Sequence, residues 1–269
     1  MFSEQVVWIT GASSGIGEAL AYELSEAGAH IILSARNTSE LERVQKQCHG
    51  ETLVLPLDVT DYVLMKAVVE QAKNWKGRID ILLNNAGISQ RSSCINTDME
   101  TYRTLFEVDV FGQIALTKEV LPIMLEQGTG HIAVTASVAG KIGAPFRTAY
   151  CAAKHAMMGF FDALRSEVHH QNIKVTTITP GYIRTNISNN ALTGDGSSFA
   201  QVDENIEAGM SPQKCAEVIR HGLLKGKPEI AVGQGLEMHA LWLKRLAPKL
   251  VFNLVAKQFQ KAARQANLK

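Results

Sequence analysis

QVVWITGASSGIG, residues 5–17, joins an apolar run of strand length to a glycine-rich turn and the start of a helical segment. Residues 5–10 lack the polar alternation of a half-exposed strand, so both faces are expected to be buried. Gly11, Gly15 and Gly17 then let the backbone come close to a bound group, and the helix N-terminus that follows offers unpaired N–H groups to an anion. A glycine-rich turn alone is only a tight loop. At the first junction between a strand and a helix it points to the pyrophosphate of a nucleotide.

The alternation continues along the chain. Strands are predicted at residues 5–10, 30–34, 51–55, 79–84, 131–136, 174–179 and 229–232. Helices are predicted at 15–27, 39–48, 61–75, 101–126, 149–170 and 212–225, with Ser39 and Glu42 as a capping box for the second. Apolar strands each followed by an amphipathic helix imply an α/β fold: a Rossmann-type, doubly wound parallel sheet of about seven strands with helices on both faces, in a single domain. Ligands of such a sheet bind beyond the carboxyl ends of its strands.

Composition fits this class, with 46% hydrophobic and 20% charged residues. The net charge of +1 conceals an asymmetry. From residue 236 onward, Lys244, Arg245, Lys249, Lys257, Lys261, Arg264 and Lys269 face one acid, Glu237, so the rest of the chain is net acidic. Cys48, Cys94, Cys151 and Cys215 lie far apart, which argues against a disulfide framework and a zinc site. Nothing suggests nucleic acid as a partner. With no signal-peptide pattern before the first strand and no apolar run of spanning length, a cytoplasmic protein is expected.

SVAGKIGAPFRTAYCAAK, residues 137–154, carries the chemistry. Tyr150 and Lys154 are four apart in a helical sequence, so they project from one face a turn apart. An ammonium beside a phenol favours release of the phenol's proton. Ser137 follows the run HIAVTA at a strand end, where its hydroxyl can bond the same carbonyl oxygen as the phenol. A donor, an acid and a charge that tunes the acid suit reaction at a C=O carbon. Cys151 is turned about 100° from Tyr150 and reads as packing. His155, His169 and His170 lack metal-ligand spacing, and no metal is expected.

The end of the second strand should select the cofactor. An acidic residue there would hold the ribose 2′-hydroxyl of NAD. The chain has Ser34-Ala35-Arg36-Asn37 instead, and Arg36 suits a 2′-phosphate, so NADP(H) is preferred, with NAD(H) as the alternative.

Four signatures in order then make the chain resemble the classical short-chain dehydrogenase/reductase family over nearly all of residues 5–235. They are the Thr10–Gly17 loop, Asn84-Asn85-Ala86-Gly87, Ser137 with Tyr150 and Lys154, and Pro180-Gly181. The resemblance implies that Tyr150 is the general acid/base, that Ser137 orients the substrate oxygen, and that Lys154 binds the nicotinamide ribose and assists the tyrosine. It implies cofactor contacts from Thr10, Gly11, Ser13, Ser14, Gly15, Ile16 and Gly17 in the loop and from Arg36. Asp58 and Val59 would lie at the adenine, and Asn85, Ala86 and Gly87 along the adenosine ribose. Pro180, Gly181, Ile183 and Thr185 would lie at the nicotinamide. It also implies a homodimer or homotetramer. One residue departs from the pattern. Where the family commonly has asparagine in a V-N-x-x-G motif, kinking a helix and holding a proton-relay water, this chain has Asp109 in Val108-Asp109-Val110-Phe111-Gly112. If the relay uses a backbone carbonyl, Asp109 can fill the role; if it needs a side-chain amide, the relay is weakened, or the carboxylate must be protonated or paired.

Residues 1–235 are therefore expected to form the NADP-binding and catalytic domain. The polar, turn-rich stretch 186–210 should be a substrate lid, and 236–269 a basic amphipathic extension. The extension could contact a membrane surface peripherally or cover the lid or another subunit. In the covering arrangement Trp242 and Phe252 are expected to be buried. Two functions stay open. One is an NADP(H)-dependent oxidoreductase interconverting a ketone or aldehyde and an alcohol on a small lipophilic substrate. The other is a non-enzymatic NADP-binding sensor or scaffold at a membrane surface. The complete Ser137, Tyr150 and Lys154 set favours the enzyme.

Overall fold

The first apolar run forms β1 (Val6–Thr10), and six more strands follow: β2 (His30–Ser34), β3 (Thr52–Val54), β4 (Ile81–Asn84), β5 (Gly130–Thr135), β6 (Ile173–Pro180) and β7 (Glu229–Val232). All neighbours pair in parallel, in the order β3-β2-β1-β4-β5-β6-β7. The computed structural model describes residues 2–265, with the backbone alone for Gln258 and residues 261–265. The side chains of Lys261 and Arg264, and the whole of Lys269, which contribute to the basic tail of the sequence, thus lie outside the described residues.

Every position of β1 is buried, because the sheet is covered on both faces. Val6 and Trp8 point to one side. There they meet Met65 and Val68 of α3 (Tyr62–Lys76), Leu116 and Val120 of α5 (Gly112–Gln127), and Met157 and Phe161 of α6 (Thr148–Val168). Val7 and Ile9 point to the other. They meet Leu20 and Leu24 of α1 (Gly15–Glu26), Leu41 of α2 (Thr38–Gln45), and Ile219 of α8 (Pro212–Leu224). Burial of each such large side chain contributes about 1.5–3 kcal/mol. The one polar atom of Trp8 is satisfied: its indole N–H donates to Ser34 Oγ at 2.8 Å, and Ser34 donates to the Leu55 carbonyl.

Sheet growth reverses at β1, which lies between β2 and β4. This switch point leaves a crevice past the carboxyl ends of β1 and β4. The Gly15–Glu26 helix starts at its edge.

Three local expectations are corrected. The predicted capping box does not form, since α2 begins a residue earlier and Asn37 caps it by accepting from Glu40 N, while Ser39 donates to Asn37. The long helix expected over 101–126 begins at Met99 and is divided into α4 (Met99–Phe106), a π-helical turn (Glu107–Phe111) and α5. Finally, Trp242 and Phe252 are 71% and 58% exposed although the extension does pack on the body. It folds as α9 (Leu236–Leu246) and α10 (Pro248–Gln265), separated before Pro248. Its contact runs through other residues: Val251, 2% exposed, with Val138 and Ile142, and Phe259, whose ring centroid is 5.1 Å from that of Phe146. The stretch 186–210 holds the short helix α7 (Glu204–Glu207) and is tied down by single bridges, Gln90 to Leu192 and Ile183 to Met210.

Candidate active site

The loop after β1 is shaped by contacts that exclude side chains. Gly11 has φ +63°, and a Cβ there would stand 2.9 Å from Ala86 Cα. At Gly17 a Cβ would fall 2.2 Å from the Gly11 carbonyl oxygen. Thr10 locks the loop to the neighbouring strand end: its Oγ1 accepts from the N–H groups of Asn85 and Ala86, each at 3.0 Å. Asn85 in turn donates to Thr10 O at 3.1 Å and accepts from Thr135 Oγ1 at 3.1 Å. Asparagine serves here because its amide donates and accepts at once.

These strand ends open into a cavity of about 2160 Å³. That exceeds the roughly 300–1,000 Å³ of an ordinary small-molecule pocket, so it has room for a dinucleotide and a second compound. One end is lined by the glycine loop, Arg36, Asp58, Val59, Asn85, Ala86 and Gly87; the wall continues through Ser137, Tyr150 and Lys154 to Pro180, Gly181, Ile183 and Thr185. Two sequence-identified residues stay behind the wall. Gly17 packs under the loop, and Asp109 is fully buried beneath Lys154.

Ser137, Tyr150 and Lys154 are brought together by β5 and α6. Ser137 follows the strand at the start of a 3₁₀ turn, and its Oγ accepts from Ala139 N at 3.1 Å, which leaves the hydroxyl proton to donate elsewhere. Tyr150 is 7% exposed. The Lys154 ammonium stands 5.6 Å from the centre of the tyrosine ring and donates to Thr135 O at 3.2 Å. Cys151 faces Ala144, whose N–H it accepts at 3.3 Å, consistent with packing. Among the described residues no group of three His, Cys, Asp or Glu could hold a metal ion.

Asp109 occupies the π-helical turn, where the wider helix pushes its side chain under the site. Its Oδ1 accepts from Ile88 N at 2.7 Å, and its Oδ2 is 3.1 Å from Lys154 Nζ. Of the alternatives left open by the sequence, the carboxylate is thus paired. Burial pushes the Asp109 carboxyl above its ordinary range against the pull of the Lys154 ammonium. Burial also opposes the charge on Lys154, but the Asp109 carboxylate, followed by the Tyr150 phenol, outweighs it and holds the ammonium above its ordinary value.

Other parts of the wall have no local sequence signature. Arg91, Arg147 and Asp203 meet at the substrate end, and Leu236, Trp242, Leu246 and Leu254 of the extension line the mouth. Basic-plus-apolar patterning flagged the extension, but not its position over the cavity. The arginines could not be found from local pattern, since their shared partner lies 112 and 56 residues away.

The comparisons agree with this architecture. The short chain dehydrogenase family model matches residues 5–195. The chain is 44% identical to a Drosophila melanogaster dehydrogenase/reductase SDR family protein 7-like, over 94% of this chain and 80% of that one. A short-chain dehydrogenase structure from Streptomyces avermitilis superposes with a TM-score of 0.80 at 29% identity, covering 98% of this chain and 99% of that one. A Burkholderia phymatum short chain dehydrogenase/reductase in complex with NAD shares the fold, with a TM-score of 0.83 at 22% identity over 93% and 95% of the two chains. With its parallel sheet, its glycine-lined crevice and this match over most of its length, the chain belongs to the short-chain dehydrogenase/reductase family of nicotinamide-dependent oxidoreductases.

Proposed function

We propose that the protein is an NADP(H)-dependent oxidoreductase that interconverts a ketone or aldehyde with an alcohol on a small lipophilic substrate. The observation that carries this reading is the convergence of Ser137, Tyr150 and Lys154 on one wall of a cavity whose other end is a glycine-lined nucleotide cradle. The cradle suits a dinucleotide because the glycine loop lines the cavity and Ser14 makes no side-chain cap at the N-terminus of α1, which leaves that end open to a pyrophosphate. Arg36 is exposed at the end of β2 with no carboxylate beside it in sequence, which suits a 2′-phosphate. Asp58, Val59, Asn85 and Gly87 would hold the adenosine part, and Pro180, Gly181, Ile183 and Thr185 the nicotinamide part. When bound, the nicotinamide supplies or accepts the hydride at the carbon.

The remaining steps fall to the protein. Ser137 donates its free hydroxyl proton in a hydrogen bond to the substrate oxygen and fixes it beside Tyr150. Tyr150 gives its proton to that oxygen in reduction and takes it back in oxidation. Lys154, pinned by Thr135 O and Asp109, keeps a positive charge beneath the phenol in a water-poor site, where a fixed charge acts most strongly. Residues 186–210 serve as a substrate lid within the domain formed by 1–235, and Leu236, Trp242, Leu246 and Leu254 of the extension complete the entrance. The exposed Trp242 and Leu246 at that entrance, with the exposed Phe252 on the next helix, favour peripheral contact with a membrane surface.

The test is a panel of ketones and alcohols, including steroids, retinoids and 3-oxoacyl thioesters, followed by the absorbance of NADPH and NADH. Turnover is expected with at least one carbonyl compound, faster with NADPH. Tyr150→Phe should then lower kcat by about 10²–10⁴ while the affinity for NADPH stays within a few-fold. A phenylalanine variant that keeps wild-type turnover would remove Tyr150 from the reaction, and tight NADPH binding with no turnover across the panel would favour a sensor.

A further inference from the structure

At the end of the cavity beyond Tyr150, two guanidiniums share one carboxylate. Arg91, on the loop after β4, and Arg147, at the start of α6, both donate through Nη2 to the same oxygen of Asp203, Oδ2. The other oxygen, Oδ1, is already engaged, accepting from Asn205 N at 2.9 Å and Ile206 N at 3.3 Å as the cap of α7. The Arg91 and Arg147 side chains are each 13% exposed, and Asp203 is 16% exposed. Glu237, the other carboxylate of this wall, is directed to Tyr182 N at 3.3 Å. Among the described residues no ion pair gives either arginine a second carboxylate. Two guanidiniums, each with five N–H donors, therefore share one available carboxylate oxygen, which each reaches through Nη2 alone, and Arg147 Nε is buried with no hydrogen-bond partner.

A net positive charge withdrawn from water is costly unless an anion meets it. Here both arginines line the cavity that also contains Tyr150, and Arg147 precedes the tyrosine by a single helical turn. The other side of this compartment is apolar, built from Ile142, Pro145, Phe146, Val251 and Phe259. We propose that Arg91 and Arg147 form an oxyanion-binding subsite, and that the substrate is an amphiphilic carbonyl or alcohol compound carrying a carboxylate or phosphate near the reacting carbon and an apolar chain beyond it. That the bound anion belongs to a substrate rests on the oxidoreductase reading; the subsite itself does not. Burial, and then the neighbouring Arg147 charge, hold the Arg91 guanidinium below its ordinary value, as expected for two cations forced together before an anion arrives. Arginine suits the role, since its planar fork can bind both oxygens of a carboxylate or phosphate.

The experiment measures binding rather than turnover. Wild-type protein saturated with NADP is titrated with octyl phosphate, octanoate and octanol, and the titrations are repeated with Arg147→Gln, Arg91→Gln and Arg147→Lys. Wild type should bind at least one of the two anions about tenfold or more tighter than octanol, and the preferred anion tells phosphate from carboxylate. Each glutamine variant should lose about tenfold in affinity for that anion with little change for octanol, and Arg147→Lys should keep part of the preference. If wild type binds both anions no better than octanol, the proposal falls. It falls equally if the glutamine variants weaken octanol and anion in proportion, because the arginines would then only latch the lid. Anion selectivity that tracks the arginines, in a protein that turns over no carbonyl compound, would keep the subsite and overturn the enzyme reading instead.

Discussion

Asp109 shows how one residue can be legible in sequence while its consequence is not. The departure from asparagine is visible in Val108-Asp109-Val110, but whether the carboxylate is paired depends on Lys154, 45 positions along, reaching back across the site. The pair has a measurable signature. Asp109 holds Lys154 above its ordinary value despite burial, so the stabilisation it gives is fully present below the ordinary lysine range, about pH 10.4, and is lost as pH rises through the higher folded value. Asp109→Asn keeps an acceptor for Ile88 N but leaves a buried ammonium without its counter-ion, which should cost about 3 kcal/mol at neutral pH. Burial alone would then lower Lys154, so the variant can shed the proton as pH rises and recover part of the deficit. Thermal midpoints of both proteins from pH 7 to 10.5 should show a gap that is widest near neutrality and narrows toward alkaline pH. A gap constant across this range would mean that Asp109 carries no charge coupling to Lys154.

At the scale of elements, the strands were the most legible part, because parallel strands buried on both faces leave unbroken apolar runs between turn residues. The helix over 101–126 is legible as a helix, and the family resemblance puts a kink at Asp109, but the π-helical form of that kink is not legible, since Glu107–Phe111 has no proline or glycine to mark it before Gly112. The cap of α2 falls at Asn37 and not Ser39, a choice the sequence leaves open because both are good capping residues and one residue of backbone geometry separates them. In α9 and α10 the apolar residues occupy more than one face, so periodicity could not say which side meets the body. It is the side with Val251 and Phe259, not the side with Trp242 and Phe252. Truncation after Gly235 strips that contact from Val138, Ile142 and Phe146 next to the site. Loss of a few buried apolar side chains should cost roughly 2–4 kcal/mol, at about 2–4 °C of thermal midpoint for each. The same truncation should raise KM for any substrate found, because the cavity mouth loses Leu236, Trp242 and Leu246. An unaltered midpoint together with an unaltered KM would show that the extension does not pack on the folded body in solution.

For the molecule as a whole, the small net charge of +1 hides an uneven distribution, with the basic residues of the extension set against an acidic body. Lys249, Lys257 and Arg245 are exposed on the same two helices that expose Trp242 and Leu246 at the entrance to the cavity and Phe252 beside it. No helix among the described residues is long and apolar enough to cross a membrane, so any lipid contact through these helices has to be interfacial. The two attractions predict different salt behaviour. Cations drawn to an anionic surface are screened beyond about 10 Å at 0.1 M salt, whereas insertion of Trp242 and Phe252 into the headgroup boundary is not weakened that way. The intact protein should therefore sediment with phosphatidylserine-containing vesicles at low salt and much less with pure phosphatidylcholine, and most of the bound fraction should be released by 0.5 M salt. Trp242→Ser with Phe252→Ser, both at exposed positions, should weaken binding at low salt without lowering the thermal midpoint. Absence of sedimentation at low salt, or sedimentation that survives truncation after Gly235, would remove the extension from membrane contact and leave its exposed apolar residues to serve the entrance alone.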